Sequence, residues 1–288
     1  MDFERALGAD KSHFDPRTIK HDETLAAPLV TGGVRYAPED IEDQAKVGIC
    51  TAIALTQNAG KAKGKKFSAD FQYLLQKKFY DLAWYEGSSI FVSLKVGKRF
   101  GFLPAHLFTN SFGVPYITAA DRQLSYPQYA AKLIAIPEAE ITRLLLLCTD
   151  ALTGYAAVDV NDPQFVAKAI NDSKAGILCR YNVTNRWWTG ANGIPSWNAA
   201  DIDPISGEGF IISGHAIGTS FFDYAANNMT ESPNTWGAGW CDEGKCHMIW
   251  DNYRMTEAWI PYYDAVPPVP PFHHYFDFDL VFGNRGPG

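Results

Sequence analysis

The pattern of apolar residues changes part-way along this 288-residue chain, and that change restricts the fold more than any other feature. The first half contains helical spacings, such as Phe71, Leu75 and Phe79 after Ser68, which is a favourable N-cap. From residue 176 onward, runs rich in Ile, Phe and Tyr are separated by Gly, Asn and Pro, which is typical of strands. A helical half followed by a strand-rich half predicts an α+β protein with two lobes.

The same patterns predict individual elements. We predict helices that start at Cys50 and that span about 68–80, 89–99, 138–147 and 163–171. We predict strands at 176–183, 209–213, 216–224 and 246–250. A cleft between two such lobes is a common position for a ligand site.

Turn-forming residues mark both ends of the chain. These features divide it into an extended arm at 1–40, a main domain at 41–265 with lobes at about 41–150 and 151–265, and a segment at 266–288. The last segment starts with a stiff Pro-rich linker and continues as an aromatic and acidic tail. Because such a tail cannot bury its own apolar face, we expect residues 272–282 to dock on a protein partner.

Charge and hydropathy restrict the partners. The net charge of −7 argues against nucleic acid, which usually requires a basic face. The longest apolar run, around Leu144–Leu147, is far shorter than the ~20 residues of a membrane span. The first residues, Met1–Arg5, lack the apolar core of a signal peptide, so a cytoplasmic location is expected.

The chain has five cysteines, and an odd number argues against a disulfide framework. Cys148 and Cys179 lie in apolar runs and are expected to be buried. Cys241, Cys246 and His247 could together supply metal ligands, but no second cysteine pair is present to complete a typical zinc site. We therefore predict neither a metal nor another cofactor.

Cys50 lies at the start of a predicted helix, where the helix dipole favours the thiolate. A single cysteine in such a place is more often a core residue. Here Gln44 lies six residues before it and Gly48 lies two residues before it. Downstream, His215 lies between Gly214 and Ala216, a pattern that by itself usually belongs to a strand histidine. Further on, Asn234 precedes Thr235, Trp236 and Gly237, a pattern that by itself usually marks a turn.

These segments, in the order Cys, His, Asn, resemble those of the papain-like cysteine peptidases. The resemblance extends over about residues 14–262, although only the three blocks around Cys50, His215 and Asn234 are specific. It implies the papain-like fold, with a helical N-terminal lobe, a strand-rich C-terminal lobe and the active-site cleft between them. The form Gly-x-Cys-Thr-Ala, together with Asp15-Pro16-Arg17, is similar to the bacterial and phage-type branch, which adds a viral particle as a second possible location.

The resemblance also implies a role for each residue. Cys50 would be the nucleophile, His215 its base and Asn234 the side chain that orients the base. The side-chain amide of Gln44 and the backbone N–H of Cys50 would form the oxyanion hole. Trp236 would cover the contact between the histidine and the asparagine.

A loop that contains Glu86, Gly87 and Ser88 resembles the substrate-binding edge of the same family. Gly87 would let an extended substrate backbone approach closely. Ala45 departs from the family pattern because a glycine usually follows the glutamine, and a departure there can alter the turn of the oxyanion loop. No long inhibitory propeptide is recognisable, so any self-inhibition would have to come from the N-terminal arm.

The sequence therefore predicts an endopeptidase that hydrolyses peptide bonds through a thioester acyl-enzyme. One alternative is a papain-fold structural or docking component of a larger assembly, such as a phage particle. Another is a thiol-dependent peptidoglycan amidase. His247 is a second candidate for the base, whereas His273 and His274 lie in the tail and are expected to be surface or docking residues.

Overall fold

The structure is a computed structural model, and it describes residues 7–12, 31–81, 83–183, 187, 213–226, 228–249 and 255–264. The helices are α1 (Cys50–Lys63), α2 (Ala69–Gln76), α3 (Ile90–Phe100), α4 (Tyr126–Ile134), α5 (Glu138–Leu145) and α6 (Pro163–Asp172). The strands are β1 (Ala9–Asp10), β2 (Gly32–Gly33), β3 (Ser88–Ser89), β4 (Gly154–Ala157), β5 (Ile177–Val183), β6 (Ser213–Thr219), β7 (Phe221–Asp223), β8 (Met229–Pro233), β9 (Lys245–Ile249) and β10 (Met255–Tyr262). The predicted α+β architecture with two lobes is confirmed.

The helical lobe is built around α1, which contacts α2 and α3 within the lobe and β6 of the other lobe. The first ten residues of α1 are all buried, as expected for a helix in the centre of a protein. Ser68 and Ser89 cap α2 and α3, because each hydroxyl accepts a hydrogen bond at 3.2 Å, from the N–H of Phe71 and Val92 respectively. These caps fix the two helices that pack beside α1.

The β lobe consists of two four-stranded sheets, with strand orders β4-β10-β5-β6 and β2-β7-β8-β9. In the first sheet, β5 and β6 are antiparallel along seven residue pairs, from Ile177 opposite Thr219 to Val183 opposite Ser213. Helix α6 packs against β2 and β7 of the second sheet. The core between these elements contains Ile177, Cys179, Ile217, Phe222, Cys246, Met248 and Ile260. This packing leaves β6 facing the N-terminus of α1.

Several elements differ from the predictions. The strand predicted at 216–224 is in fact the end of β6 followed by β7, and these two strands belong to different sheets. The helix predicted over 68–80 ends at Gln76 and continues as a π-helical turn at Lys77–Asp81. The strand predicted at 209–213 lies outside the described residues except for Ser213. The division of the chain at residues 40 and 266 stays a prediction.

In the described part of the chain, no helix combines the length and the apolar character that a membrane span requires. Residues 272–282, including His273 and His274, lie outside the described residues, so the docking of the tail stays a prediction.

Candidate active site

Cys50 is the first residue of α1 and is completely buried where that helix meets β6. Its sulfur is hydrogen-bonded by the backbone of Ala216, the residue that follows His215. The thiol therefore lies in the positive end of the helix dipole, in contact with the residue that follows His215 in the chain.

His215 lies on β6, and its Nε2–H donates to Oδ1 of Asn234 at 2.7 Å. This bond sets the tautomer, so Nδ1 carries the lone pair. Among the described residues, Nδ1 has no hydrogen-bond partner. An imidazole held in this way can take a proton on Nδ1 without breaking its contact with Asn234.

Aromatic rings enclose the contact between His215 and Asn234. The ring of Trp236 stacks on the imidazole with 4.6 Å between centroids and 24° between planes. The ring of Trp187 packs edge-on against the imidazole, with 6.2 Å between centroids and 87° between planes. Because both indoles are buried, they keep water away from the hydrogen bond and strengthen it.

Gln44 is held by the chain segment that carries Asn234. Its backbone N–H donates to the carbonyl of Thr235 at 2.8 Å, and its Oε1 accepts from Oγ1 of Thr235 at 2.6 Å. The hydroxyl of Thr235 thereby fixes the side-chain oxygen of Gln44. Thr235 thus links the glutamine with the histidine–asparagine pair.

The turn after Gln44 shows how the chain tolerates an alanine where a glycine is usual. Ala45 has a φ of 52°, in the left-handed region. Its N–H donates to Oδ1 of Asp43 at 2.8 Å, which stabilises the turn. A strained backbone of this kind costs on the order of 1 kcal/mol and is typical of functional sites.

The loop with Glu86, Gly87 and Ser88 lies on the opposite side of the cleft. Oε1 of Glu86 accepts from the N–H of Gly48 at 2.7 Å, which joins this loop to the segment before Cys50. Gly87 has a φ of 90°, so a side chain would be strained there. Glu86 therefore contacts the backbone two residues before Cys50.

The cleft is occupied by the protein's own segment Leu7–Ser12, which we call the cleft segment. Strand β1 of this segment runs parallel to β3, with Ala9 opposite Ser88. The carbonyl of Gly8 accepts from the N–H of Ser88 at 2.8 Å, and its backbone also hydrogen-bonds the sulfur of Cys50. The thiol of Cys50 is therefore covered.

Two charged side chains of the β lobe hold the cleft segment by its backbone. Nε of Arg180 donates to the carbonyl of Ala9 at 3.0 Å, and Oε2 of Glu257 accepts from the N–H of Ser12 at 3.0 Å. Neither Arg180 nor Glu257 stands out in the sequence, because each partner lies more than 170 residues away.

Burial changes the pKa of both Cys50 and His215. Burial raises the pKa of the Cys50 thiol to about 11, although backbone N–H groups around the sulfur favour the thiolate. Burial lowers the pKa of His215 to about 4, and the hydrogen bond with Asn234 opposes this only in part. At neutral pH both groups are uncharged in the covered state.

The metal site considered from the sequence does not assemble in the described part of the chain, where no three His, Cys, Asp or Glu side chains form a cluster that could hold a metal. Cys246 is buried on β9, whereas Cys241 is exposed. His247 forms an ion pair with Asp242 through Nε2 and Oδ2 at 2.9 Å, apart from the site around Cys50.

Comparison with known proteins identifies the architecture. No protein-family model and no curated protein sequence matches the chain. Among solved structures, xylellain, a cysteine protease from Xylella fastidiosa, superposes with a TM-score of 0.70 at 17% identity, over 91% of this chain and 97% of that one.

Two further solved structures are similar. Digestive procathepsin L2 from Tenebrio molitor larval midgut has a TM-score of 0.58 at 12% identity, over 90% of this chain and 78% of that one. Procathepsin B S9 from Trypanosoma congolense has a TM-score of 0.56 at 11% identity, over 90% of this chain and 87% of that one. At these identities the likeness concerns the fold.

Proposed function

We propose that this chain, which has the papain-like fold, is a cysteine endopeptidase whose cleft is closed at rest by its own N-terminal segment. The observation that carries the proposal is the 2.7 Å hydrogen bond from His215 Nε2 to Asn234 Oδ1, next to a cysteine at a helix start. That bond leaves Nδ1 as the basic atom beside the thiol. Peptides are the proposed substrates.

In the proposed reaction, Nδ1 of His215 takes the thiol proton, and the Cys50 sulfur attacks the peptide carbonyl carbon. The C=O π electrons move to oxygen, and the resulting oxyanion accepts hydrogen bonds from the Gln44 side-chain amide and the Cys50 backbone N–H. When the intermediate collapses, the C–N bond breaks and the imidazolium protonates the leaving amine.

The thioester that remains is then hydrolysed. Neutral His215 accepts a proton from water, and the hydroxide formed attacks the thioester carbonyl. The C–S bond breaks, the acid product leaves, and the proton returns to the sulfur. Asn234 keeps the imidazole plane fixed throughout, since its carbonyl accepts from Nε2–H in both protonation states.

The test of this proposal is titration with an irreversible thiol-directed peptide inhibitor, followed by mass mapping of the modified residue. We expect one equivalent on Cys50 and matching loss of casein hydrolysis. A protein that binds no inhibitor and cleaves no peptide, even after the cleft segment is displaced, would favour the structural or docking alternative. Release of amide-linked muropeptides without peptide cleavage would favour the amidase.

Removing the oxyanion donor is expected to slow the reaction rather than weaken binding. For Gln44→Ala we expect kcat to fall about 100-fold with KM nearly unchanged, because the lost hydrogen bond acts mainly on the transition state. Steady-state kinetics on a fluorogenic peptide would measure both constants. Gln123→Ala, at an exposed glutamine in the same lobe, is the control and should match wild type. A rise in KM alone would assign Gln44 to substrate binding.

Removing the orienting amide of Asn234 is expected to lower kcat no more than Gln44→Ala does. Asn234→Ala should lower kcat by about 10-fold to 100-fold, since the imidazole loses one fixed orientation but stays under Trp236. The thermal midpoint should fall by only a few degrees. If Asn234→Ala kept full kcat while the mutant remained folded, the bond from Asn234 to His215 would have no part in turnover.

Displacing the cleft segment is expected to raise activity at neutral pH. A methyl group on Gly8 would meet the carbonyl oxygen of Gly48 at 2.6 Å and Cα of Gly87 at 2.9 Å, and both are backbone atoms. Gly8→Ala should therefore loosen the segment, and we expect about 10-fold higher kcat/KM and faster alkylation of Cys50.

Gly239→Ala is the matched control for Gly8→Ala, because a methyl group at that position meets no atom within 4 Å. Gly239→Ala should leave both kcat/KM and the rate of Cys50 alkylation unchanged. Equal rates for Gly8→Ala and wild type would mean that the cleft segment does not limit access to Cys50.

A further inference from the structure

Arg122 lies against the backbone turn that carries Gln44, the proposed oxyanion donor. This arginine belongs to a 3-10 helical turn just before α4, in the helical lobe. Its carbonyl accepts from the N–H of Lys46 at 3.0 Å, and its Nη1 donates to the carbonyl of Asp43 at 2.9 Å. One residue therefore holds both ends of residues 43–46, which form the oxyanion loop.

The guanidinium of Arg122 is itself fixed by Asp70 of α2. Nε donates to Oδ1 at 3.1 Å and Nη2 donates to Oδ2 at 2.8 Å, which is a bidentate pair. The buried Tyr129 donates its hydroxyl to Oδ1 of the same carboxylate at 2.8 Å. Because the guanidinium is planar, this pairing directs Nη1 at the carbonyl of Asp43. Arg122 therefore contacts the oxyanion loop in one fixed orientation.

The β lobe also holds the oxyanion loop. The N–H of Gln44 donates to the carbonyl of Thr235 at 2.8 Å, and the carbonyl of Glu42, just before the loop, accepts from the N–H of Gly237 at 3.0 Å. Oε2 of Glu42 also lies 3.4 Å from both Nη1 and Nη2 of Arg122. The loop is therefore held from both lobes, and Arg122 provides a contact from the helical lobe.

The oxyanion loop depends on such contacts because its backbone is strained. Ala45 has a φ of 52°, a conformation that a residue with a side chain adopts about 5-fold less readily than glycine does. A strained loop shifts toward its relaxed conformations when a contact is removed. A displacement of about 1 Å in an active-site group can cost about 100-fold in rate. The position of Gln44 is therefore expected to depend on Arg122.

We infer that Arg122 is a positioning residue of the active site, which holds the oxyanion loop so that the amide of Gln44 is in place before the oxyanion forms. This inference rests on the proposed peptidase function and adds a residue to it. Arg122 acts through Gln44 and does not itself contact the substrate. Its ion pair with Asp70 supplies the fixed point in the helical lobe against which the loop is held.

The test is steady-state kinetics of Arg122→Lys on a fluorogenic peptide, in the full-length protein and in its Gly8→Ala form. Lysine keeps a positive charge beside Asp70, so no buried carboxylate is left unpaired to unfold the protein. An ammonium group cannot reproduce the bidentate pair and the contact with Asp43 together. We expect kcat to fall about 10-fold with KM nearly unchanged. A rise in KM with unchanged kcat would contradict the inference.

A second substitution separates positioning of Gln44 from general stability. If Arg122 acts through Gln44, Arg122→Lys has no donor to misplace in a protein that already carries Gln44→Ala. We expect Arg122→Lys to change kcat by less than about 2-fold in that background. A further loss of about 10-fold there would show that Arg122 acts independently of Gln44, and the inference would be wrong.

Relieving the strain at Ala45 is expected to rescue the Arg122 variant. Glycine adopts a positive φ without a steric penalty, so Ala45→Gly should favour the native turn even when the contacts of Arg122 are weakened. We expect Ala45→Gly to raise kcat of Arg122→Lys by about 5-fold and to change wild-type kcat by less than about 2-fold. Failure of this rescue would show that Arg122 does not hold the strained turn.

Arg143 of α5 offers the matched control. Its Nε donates to Oε2 of Glu140 at 2.9 Å and its Nη2 donates to the carbonyl of Thr109 at 2.6 Å. It therefore also joins a carboxylate to a loop carbonyl in the helical lobe, but outside the oxyanion loop. Arg143→Lys should keep the wild-type kcat. Equal losses of kcat in Arg143→Lys and Arg122→Lys would refute a specific role for Arg122.

Failure of the peptidase function and failure of this inference are distinguishable. The absence of cleavage by both wild type and Gly8→Ala would contradict the peptidase function. NMR of the Gln44 side-chain amide in isotope-labelled Cys50→Ala then decides the inference alone, with the signal identified by its loss in Gln44→Ala. Arg122→Lys should shift this signal and Arg143→Lys should not. A signal that Arg122→Lys leaves unchanged would overturn the inference.

Discussion

Replacing Cys50 with alanine is expected to abolish turnover, with a loss of about 10⁴-fold or more in kcat. We expect no other described cysteine to replace it. Cys179 and Cys246 are buried in the β-lobe core, Cys148 lies in the helical lobe, and Cys241 is exposed in the turn before β9. Among the described cysteines, only Cys50 lies at a helix start. Peptide hydrolysis measured over several hours would detect the residual rate.

Cys148→Ala is the matched control, since it removes a thiol of the helical lobe that lies outside the site. It should keep wild-type turnover. Circular dichroism and the thermal midpoint should show that Cys50→Ala remains folded, because one small side chain replaces another at the first residue of α1. Peptide hydrolysis by Cys50→Ala at the wild-type rate would exclude Cys50 as the nucleophile.

Lowering the pH is expected to open the cleft. The ratio of open to closed protein should rise by up to about 300-fold. In the closed state burial lowers the pKa of His215 to about 4, whereas an uncovered histidine has a pKa near 6.5. The closed state therefore binds fewer protons than the open state between these two values. Lowering the pH from 6.5 to 4 favours the open state, and above pH 6.5 this contribution to closure is fully present.

The measurement is labelling of Cys50 by a pyridyl disulfide, which remains reactive in acid, followed by mass mapping. In the wild type, labelling should accelerate as the pH falls from 6.5 to 4. In Gly8→Ala the cleft segment is already displaced, so the same pH change should have little effect. Labelling of wild type that slows monotonically with acid would show that His215 does not control closure.

The motifs around Cys50 and His215 could be predicted because the information is local in sequence. The helix that starts at Cys50 and each of the three short blocks are visible within about ten residues. Helix α4 was not predicted. It contains Pro127 in its first turn, where the missing N–H of proline costs nothing.

Strands β8 and β10 were missed for a different reason. Each contains a glutamate and a proline, which are uncommon in strands. Tertiary contacts explain the glutamates: Glu231 forms an ion pair with Arg35, and Glu257 holds the cleft segment. Contacts between residues distant in sequence therefore account for both glutamates.

The connection of the cleft segment to the rest of the chain determines how closure responds to concentration. Eighteen residues, 13–30, join Ser12 to Thr31, and nearby Tyr36 is anchored in the β lobe by a bond from its hydroxyl to the carbonyl of Ala175 at 3.0 Å. Because this tether keeps the cleft segment and the β lobe in one chain, closure is intramolecular, and the ratio of open to closed protein does not depend on protein concentration. Dilution therefore cannot open the cleft, and a peptide with the sequence of residues 7–12 would have to compete in trans with a segment that is always present in cis. A single cut within the tether would turn this intramolecular equilibrium into an ordinary, weak bimolecular one.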